Sequence, residues 1–171
     1  MVPTGDPMST GFTHETSVGK SDEWWTPPWL FEALGLRFDL DPCGHEGADV
    51  PAHKIYTLAA GQDGLRLPWS GRVFLNPPYS DTSAWVDKLL NSNVTAITLT
   101  FARTGSSWAQ RLLGGEHCAS AVLFLAKRVR FIPGGGQHAS SPGADSMLCA
   151  FGQTEVEALY RMAEAGHGVM R

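Results

Sequence analysis

The stretch Val73-Phe74-Leu75-Asn76-Pro77-Pro78-Tyr79 decides how this chain is interpreted. The apolar run Val73–Leu75 is typical of a short buried strand, and the polar residues 80–83 that follow Tyr79 can begin a helix. Two consecutive prolines end the strand, because neither carries an N–H and each fixes its own φ. An amide side chain, backbone carbonyls and an aromatic ring are therefore left at the point where the strand ends.

These residue types suit a planar amino group on a conjugated ring. The Asn76 side-chain oxygen and the Pro77 carbonyl can accept its two N–H hydrogens, and Tyr79 can stack on the ring. Two acceptors favour a pyramidal nitrogen with a free lone pair, and they stabilise the positive charge that develops during attack. We therefore expect a catalytic loop made of Asn76, Pro77, Pro78 and Tyr79. The alternative is a stiff turn with a packed tyrosine.

Apolar strands alternate with amphipathic helices along the chain. The pattern predicts strands over residues 37–40, 72–75, 94–101, 121–125 and 146–151. It predicts helices over residues 28–34, 83–90, 107–113 and 154–165, the last with Thr154 as its N-cap and Glu157 three positions on. This order is typical of an α/β fold with a mainly parallel sheet and helices on both faces. Ligands of such sheets bind at the carboxyl ends of the strands.

Length and composition fit one compact domain. The chain has 171 residues, of which 43% are hydrophobic, enough to build a core. We expect a single domain over residues 21–171, no separate target-recognition domain, and a flexible Gly-, Ser- and Thr-rich segment over residues 1–20. The three cysteines lack C-x-x-C spacing, so neither a disulfide framework nor a metal site is predicted. No membrane-spanning run or signal peptide is recognisable, and we expect a cytoplasmic protein.

The distribution of charge is more informative than its sum. The net charge is −4 and the pI is about 5.8, whereas DNA-binding domains tend to be basic. Between Phe101 and Ile132, however, five basic residues face a single acid, Glu116. The DNA-contact candidates in this region are Arg103, Lys127, Arg128 and Arg130. The alternative is that they are ordinary solvated charges.

Taken in chain order, four motifs resemble one family. They are Thr26-Pro27-Pro28, the acidic loop that follows Phe38–Leu40, Gln62-Asp63-Gly64-Leu65 and the Asn76–Tyr79 loop. Together they resemble the small phage-type DNA N6-adenine methyltransferases, over about Asp22 to Phe151. The resemblance implies a Rossmann-like methyltransferase fold, S-adenosylmethionine as cofactor, DNA (as duplex) as partner, and direct methyl transfer to a flipped-out adenine. It also suggests a bacteriophage origin, restriction evasion and a place in the host cytoplasm.

The resemblance assigns roles to individual residues. Thr26 and Pro27 look like the segment that closes over the methionine end of the cofactor. The run Asp41-Pro42-Cys43-Gly44 looks like the cofactor loop, with the acid near the cofactor's amino group. Asp63 looks like the acid that binds the cofactor's adenine, with Gly64 and Leu65 packed beside it. Asn76 looks shared between cofactor and substrate.

The roles of three further features remain open at this point. Phe131 is either core or the second face of a sandwich around the target base with Tyr79. The Pro133–Asp145 loop is either a flexible hairpin connection or an arm that orders on DNA. The segment 48–57 is short and Pro-interrupted, so the acid that holds the cofactor ribose is not identified, although Glu46 and Asp49 are candidates.

Two rival functions also remain. The Asn-Pro-Pro-Tyr loop would serve another planar amine equally well, namely cytosine N4, an RNA base or a glutamine amide in a protein. The short segment 48–57 also allows a catalytically silent DNA- or protein-binding module that kept the fold.

Overall fold

The computed structural model describes residues 24–133 and 144–171. The expectations for residues 1–20 and for most of the Pro133–Asp145 loop lie outside the described residues. The strands are β1 (Trp24–Trp25), β2 (Phe38–Asp41), β3 (Ala52–Ile55), β4 (Arg72–Leu75), β5 (Thr95–Phe101), β6 (Ala121–Leu125), β7 (Ile132–Pro133), β8 (Ser146–Phe151) and β9 (Gly168–Met170). The helices are α1 (Pro28–Leu34), α2 (Thr82–Leu90), α3 (Ser107–Leu113) and α4 (Gln153–Glu164).

Seven of these strands form one mixed sheet, in the order β3-β2-β4-β5-β8-β6-β9, and β1 pairs separately with β7. The β3-β2-β4-β5 half is parallel, whereas β8 runs antiparallel to both β5 and β6, and β9 runs antiparallel to β6. The fold is α/β as expected, but the prediction of a mainly parallel sheet is wrong. Parallel neighbours need a crossover, usually a helix, and no helix lies in the described residues between β6 and β8. The chain therefore returns beside β6 in the opposite direction.

The predicted helices and the five predicted strands are confirmed to within one residue at either end. The predicted cap of α4 is wrong: the helix begins at Gln153, after Gly152, and no side chain caps it. Gly152 has a φ of +122°, which glycine adopts readily and which turns the chain sharply from β8 into the helix. The four strands that were not predicted, β1, β3, β7 and β9, have only two to four residues each, too few to show an alternation.

Helices cover both faces of the sheet, as predicted. Apolar residues of α1 and α4 pack on one face, against Phe38 and Phe74 among others. Apolar residues of α2 and α3 pack on the other face, against Val73 and Leu75. Neighbouring residues of β4 therefore point into different cores, which fixes the direction in which the chain leaves the strand.

Two edges of the sheet are distinguished below. The carboxyl edge is the one at which β2, β3, β4, β5 and β6 end, and the amino edge is the opposite one. The loops that follow β2, β3 and β4 all leave from the carboxyl edge. Within the described residues, no helix is long and apolar enough to cross a membrane.

Candidate active site

Asn76 follows β4 directly and its amide is held in one orientation. Its Nδ2 donates to the Trp24 carbonyl at 3.0 Å and to Thr26 Oγ1 at 3.3 Å. A backbone carbonyl can only accept, so the nitrogen of the amide must face Trp24. The oxygen, Oδ1, then faces the other way, and it is buried without a hydrogen-bond partner among residues 24–133 and 144–171.

The two prolines leave a second acceptor in the loop. The Pro78 carbonyl accepts from the Asp81 N–H at 3.2 Å and from the Thr82 hydroxyl at 3.3 Å, where α2 begins. No described residue donates to the Pro77 carbonyl. Within the described residues, Asn76 Oδ1 and the Pro77 oxygen therefore both lack a donor, and they are the pair of acceptors that the sequence indicates.

Tyr79 lies against aromatic rings. Its ring stacks on Phe101, with centroids 3.7 Å apart and planes 18° apart, and meets Phe131 edge-on at 6.2 Å. The phenol oxygen is buried without a partner, and burial raises the pKa of Tyr79. Phe131 itself is fully buried, so in this conformation it is core and offers no face to a base. Phe101, which the sequence indicates only as part of a strand, is the ring stacked on Tyr79.

Asp41 and Cys43 connect the end of β2 to the catalytic loop. Asp41 accepts from the Cys43 N–H at 3.1 Å, and Cys43 Sγ donates to the Asn76 carbonyl at 3.2 Å. Burial raises the pKa of Asp41 to about 7, although the hydrogen bonds from Cys43 oppose this shift. Burial and the nearby Asp41 charge raise the pKa of the Cys43 thiol, so it stays protonated and can act as a donor.

A cavity of about 690 Å³ opens beside this loop. Four of the predicted cofactor residues line it: Pro42, Cys43, Gly44 and Gly64. Three more, Thr26, Asp41 and Asn76, line an adjoining crevice that shares Cys43, Gly44 and His45 with the cavity. The structure thus brings together seven of the ten residues.

The other three predicted cofactor residues are not among those that line the cavity or the crevice: Pro27, Asp63 and Leu65. Pro27 is buried at the start of α1. Asp63 accepts from the Leu65 N–H at 2.9 Å and pairs with Arg66 at 3.3 Å, so it shapes its own turn. Gln62, next to Asp63, lines the cavity, as does Glu46.

Close packing explains the two glycines of the cavity wall. A Cβ on Gly64 would collide with the Pro42 carbonyl oxygen and would meet the Trp85 ring at 3.0 Å. A Cβ on Gly44 would collide with the Ile55 side chain. Glycine is therefore required where the loops after β2 and β3 and the segment around Gly64 converge.

The segment around Gly64 is held from outside the cavity by two residues to which the sequence analysis assigns no site role. Lys88 on α2 donates through Nζ to the Leu65 carbonyl at 2.9 Å and to the Leu67 carbonyl at 2.8 Å. The Trp69 indole N–H donates to the Gly64 carbonyl at 2.8 Å. No sequence pattern indicates these contacts, because all of them are made to backbone carbonyls, and those of Lys88 span more than 20 positions of the chain.

The basic residues lie in loops of the carboxyl edge, after β5 and β6. Four of the five predicted DNA contacts are exposed, namely Arg103, Lys127, Arg128 and Arg130, whereas the fifth, Phe131, is buried. Arg128 pairs with the exposed Asp145 at 3.0 Å, which partly neutralises it. The Arg103 guanidinium lies 5.3 Å from the centre of the Phe101 ring. Within the described residues, no cluster of side chains could hold a metal ion.

The fold is α/β, and within the described residues its carboxyl edge carries an unpaired amide oxygen, Asn76 Oδ1, in a crevice that adjoins a cavity of about 690 Å³. The chain matches the family model for DNA N-6-adenine-methyltransferase (Dam) over residues 13–161, and it belongs to this family. Membership implies DNA methyltransferase activity towards adenine N6. Neither the search of curated proteins nor the search of solved structures returns a match.

Proposed function

We propose that this protein is an S-adenosylmethionine-dependent, site-specific DNA adenine-N6 methyltransferase that acts on an adenine rotated out of the duplex. One observation carries the proposal: Asn76 Oδ1 is buried and unpartnered while the nitrogen of the same amide is bound on two sides. Buried polar atoms are nearly always paired. Other buried side-chain atoms also lack partners, but this acceptor lies at the carboxyl edge, where ligands of such sheets bind, and we assign it to a substrate N–H.

Each residue of the Asn76–Tyr79 loop that contacts the adenine has its own role in the proposed reaction. Asn76 Oδ1 and the Pro77 carbonyl accept the two N6 hydrogens, which favours a nitrogen lone pair directed out of the ring plane. Both acceptors are fixed before substrate arrives, so little reorganisation is needed. Tyr79 stacks on the extruded base, an arrangement that offsets part of the unstacking free energy. No general base is needed before attack, and the proton leaves afterwards.

The residues around the cavity fit the proposed cofactor. A volume of about 690 Å³ lies within the usual range of small-molecule sites. Asp41, Cys43, Gly44 and Gly64 would hold S-adenosylmethionine, which supplies an electrophilic methyl group when bound. Asp41 would pair with a cationic amino group, and such a partner stabilises the ionised carboxylate and lowers its pKa. Gly44 and Gly64 keep the cavity wall free of side chains.

DNA would approach the carboxyl edge, where Arg103, Lys127 and Arg130 are exposed. Exposed guanidinium and ammonium groups bind phosphates and fix the register of a duplex without reading its sequence. We also propose that residues 21–171 form a single domain. We propose further that the reaction protects bacteriophage DNA from host restriction.

The direct test is methyl transfer followed by identification of the product. The protein is incubated with S-adenosylmethionine carrying a labelled methyl group and with unmethylated duplex DNA, and the DNA is digested to nucleosides. We expect N6-methyladenine. Label in N4-methylcytosine would contradict the adenine assignment, and so would label that appears only when RNA or protein replaces the DNA in the assay. No label together with no cofactor binding in calorimetry would favour the silent module instead.

A further inference from the structure

We propose that Phe101 is a positioning residue for methyl transfer, which fixes the plane of the Tyr79 ring for stacking on the target base. This inference rests on the proposed function and adds a residue to which the family motifs assign no site role. Phe101 acts through Tyr79 and does not itself contact the base.

The contact between the two rings is face to face. Their centroids are 3.7 Å apart and their planes differ by 18°, so Phe101 covers one face of Tyr79. A base would therefore have to stack on the opposite face, and the plane of that face is set by Phe101.

The two residues differ in how firmly they are anchored. Phe101 is the last residue of β5, is 7% exposed, and pairs with Ser146 of β8 near the centre of the sheet. Tyr79 lies in a loop, and its hydroxyl has no hydrogen-bond partner to orient it. The sheet therefore fixes the position of Phe101, and Phe101 fixes the plane of the Tyr79 ring. Phe131 adds an edge contact at 6.2 Å and 80°, which does not set the plane by stacking.

Arg103 extends the contact towards solvent. Its guanidinium carbon lies 5.3 Å from the Phe101 centroid, within the range of a cation–π interaction. At the end of β5, the exposed Arg103 cation therefore lies over the buried Phe101 ring, and that ring in turn stacks on Tyr79. This arrangement connects a candidate phosphate contact to the ring that stacks on the base.

The test compares three variants of the full chain. Phe101→Leu keeps an apolar side chain but removes the ring, Phe101→Tyr keeps the ring, and Phe38→Leu removes a fully buried phenylalanine that does not contact Tyr79. We expect the single-turnover methyl-transfer rate of Phe101→Leu to fall about tenfold, since stacking and orientation are lost. Phe101→Tyr should stay within about twofold of the wild type, and so should Phe38→Leu at a temperature where it is folded. Cofactor affinity should not change in any of them.

A second readout is independent of the reaction. The chain has three tyrosines, so ring-labelled tyrosine gives a simple NMR spectrum. The Tyr79 ring protons should be shifted upfield relative to those of the exposed Tyr160 in the wild type and in Phe38→Leu, and this shift should disappear in Phe101→Leu. Failure of the proposed function would change the acceptor found in the labelling assay and leave this spectrum unaffected. An unchanged rate in Phe101→Leu, or an equal loss in Phe38→Leu, would overturn the inference.

Discussion

The polar groups at the two ends of strand β4 differ in whether they have hydrogen-bond partners. At its start, Arg72 is fully engaged: Nε donates to Glu155 Oε1 at 2.6 Å, Nη1 to the Arg37 carbonyl at 3.2 Å, and the backbone N–H to Asp39 at 2.7 Å. Just beyond its end, Asn76 has a bound nitrogen and a vacant oxygen. At the amino edge the polar groups hydrogen-bond to one another, whereas at the carboxyl edge the Asn76 oxygen has no partner among the described residues.

Two buried acids, Glu155 and Asp41, also differ in whether they have a charged partner. Glu155 is 1% exposed and has Arg72 as its partner. Asp41 is 4% exposed, and its hydrogen bonds come from Cys43, which brings no positive charge. Without a cation beside it, burial dominates and raises the pKa of Asp41 to about 7. An arriving cationic ligand could supply the missing charge.

A large change in stability is expected at the amino edge. Arg72→Met should lower the free energy of unfolding by about 3 kcal/mol, because it leaves Glu155 buried without its partner. The methyl-transfer rate of the folded protein should be unchanged. Urea unfolding measures the first quantity, and the double variant with Glu155→Gln should recover much of the loss. A loss below about 1 kcal/mol would indicate that the pair is not the main support of this edge.

Asp41 should make stability depend on pH in the opposite sense to an ordinary ion-paired acid. Its pKa is about 7 in the folded protein against 3.8 ordinarily, so the folded state binds the proton more tightly. Its contribution is therefore fully present below pH 3.8 and is lost as pH rises through about 7, by about 4 kcal/mol at most. Asp41→Asn should remove this slope.

Urea unfolding of the wild type and Asp41→Asn at intervals from pH 4 to pH 8 tests this expectation. The stability difference between the two proteins should move in favour of the variant as pH rises. Parallel curves over that range would show that Asp41 titrates normally.

A smaller effect is expected at Thr26, whose hydroxyl accepts from Asn76 Nδ2 at 3.3 Å. Thr26→Val keeps the shape but removes the acceptor, which loosens the Asn76 amide, and we expect methyl transfer to slow about tenfold. Thr26→Ser should restore most of the rate. Calorimetry distinguishes this role from the one implied by the family resemblance: weaker cofactor binding with an unchanged rate would mean that Thr26 contacts the cofactor and does not orient Asn76.

The smallest effect concerns DNA binding. Arg130→Gln at the carboxyl edge should weaken duplex binding a fewfold and reduce the slope of log K against log salt by about one. Arg37→Gln provides a matched control, since Arg37 is exposed beside the amino edge. Binding measured by fluorescence anisotropy at several salt concentrations gives both quantities. Equal effects of the two substitutions would remove the assignment of DNA to the carboxyl edge.

Local patterns carried much of the fold and of the site. Each predicted strand and helix had a periodicity or a turn signal of its own, and the two acceptors of the catalytic loop follow from residues 76 and 77 alone. The antiparallel return of β8 had no local signal, because strand direction depends on how the preceding loop closes. Thr154 failed as a cap because Gly152 turns the chain earlier.

The sequence did not predict contacts between residues that lie far apart along the chain. The vacant side of the Asn76 amide is decided by a carbonyl at Trp24, 52 positions away. The stacking of Phe101 on Tyr79 is also a contact between distant residues. So are the hydrogen bonds that Lys88 donates to the Leu65 and Leu67 carbonyls. Phe131 could be interpreted either way from sequence, and only its complete burial favours the core.

The most direct test of the account is the single-turnover rate of labelled methyl transfer to adenine in duplex DNA by the wild type, Asn76→Ala and Asn93→Ala. Asn93 is exposed in the turn after α2 and serves as the matched control. The account predicts a loss of roughly 10³-fold in Asn76→Ala with cofactor affinity retained, because the preorganised acceptor is gone, and no change in Asn93→Ala. A rate for Asn76→Ala close to that of the wild type would contradict the claim that the vacant Asn76 oxygen binds the target amine.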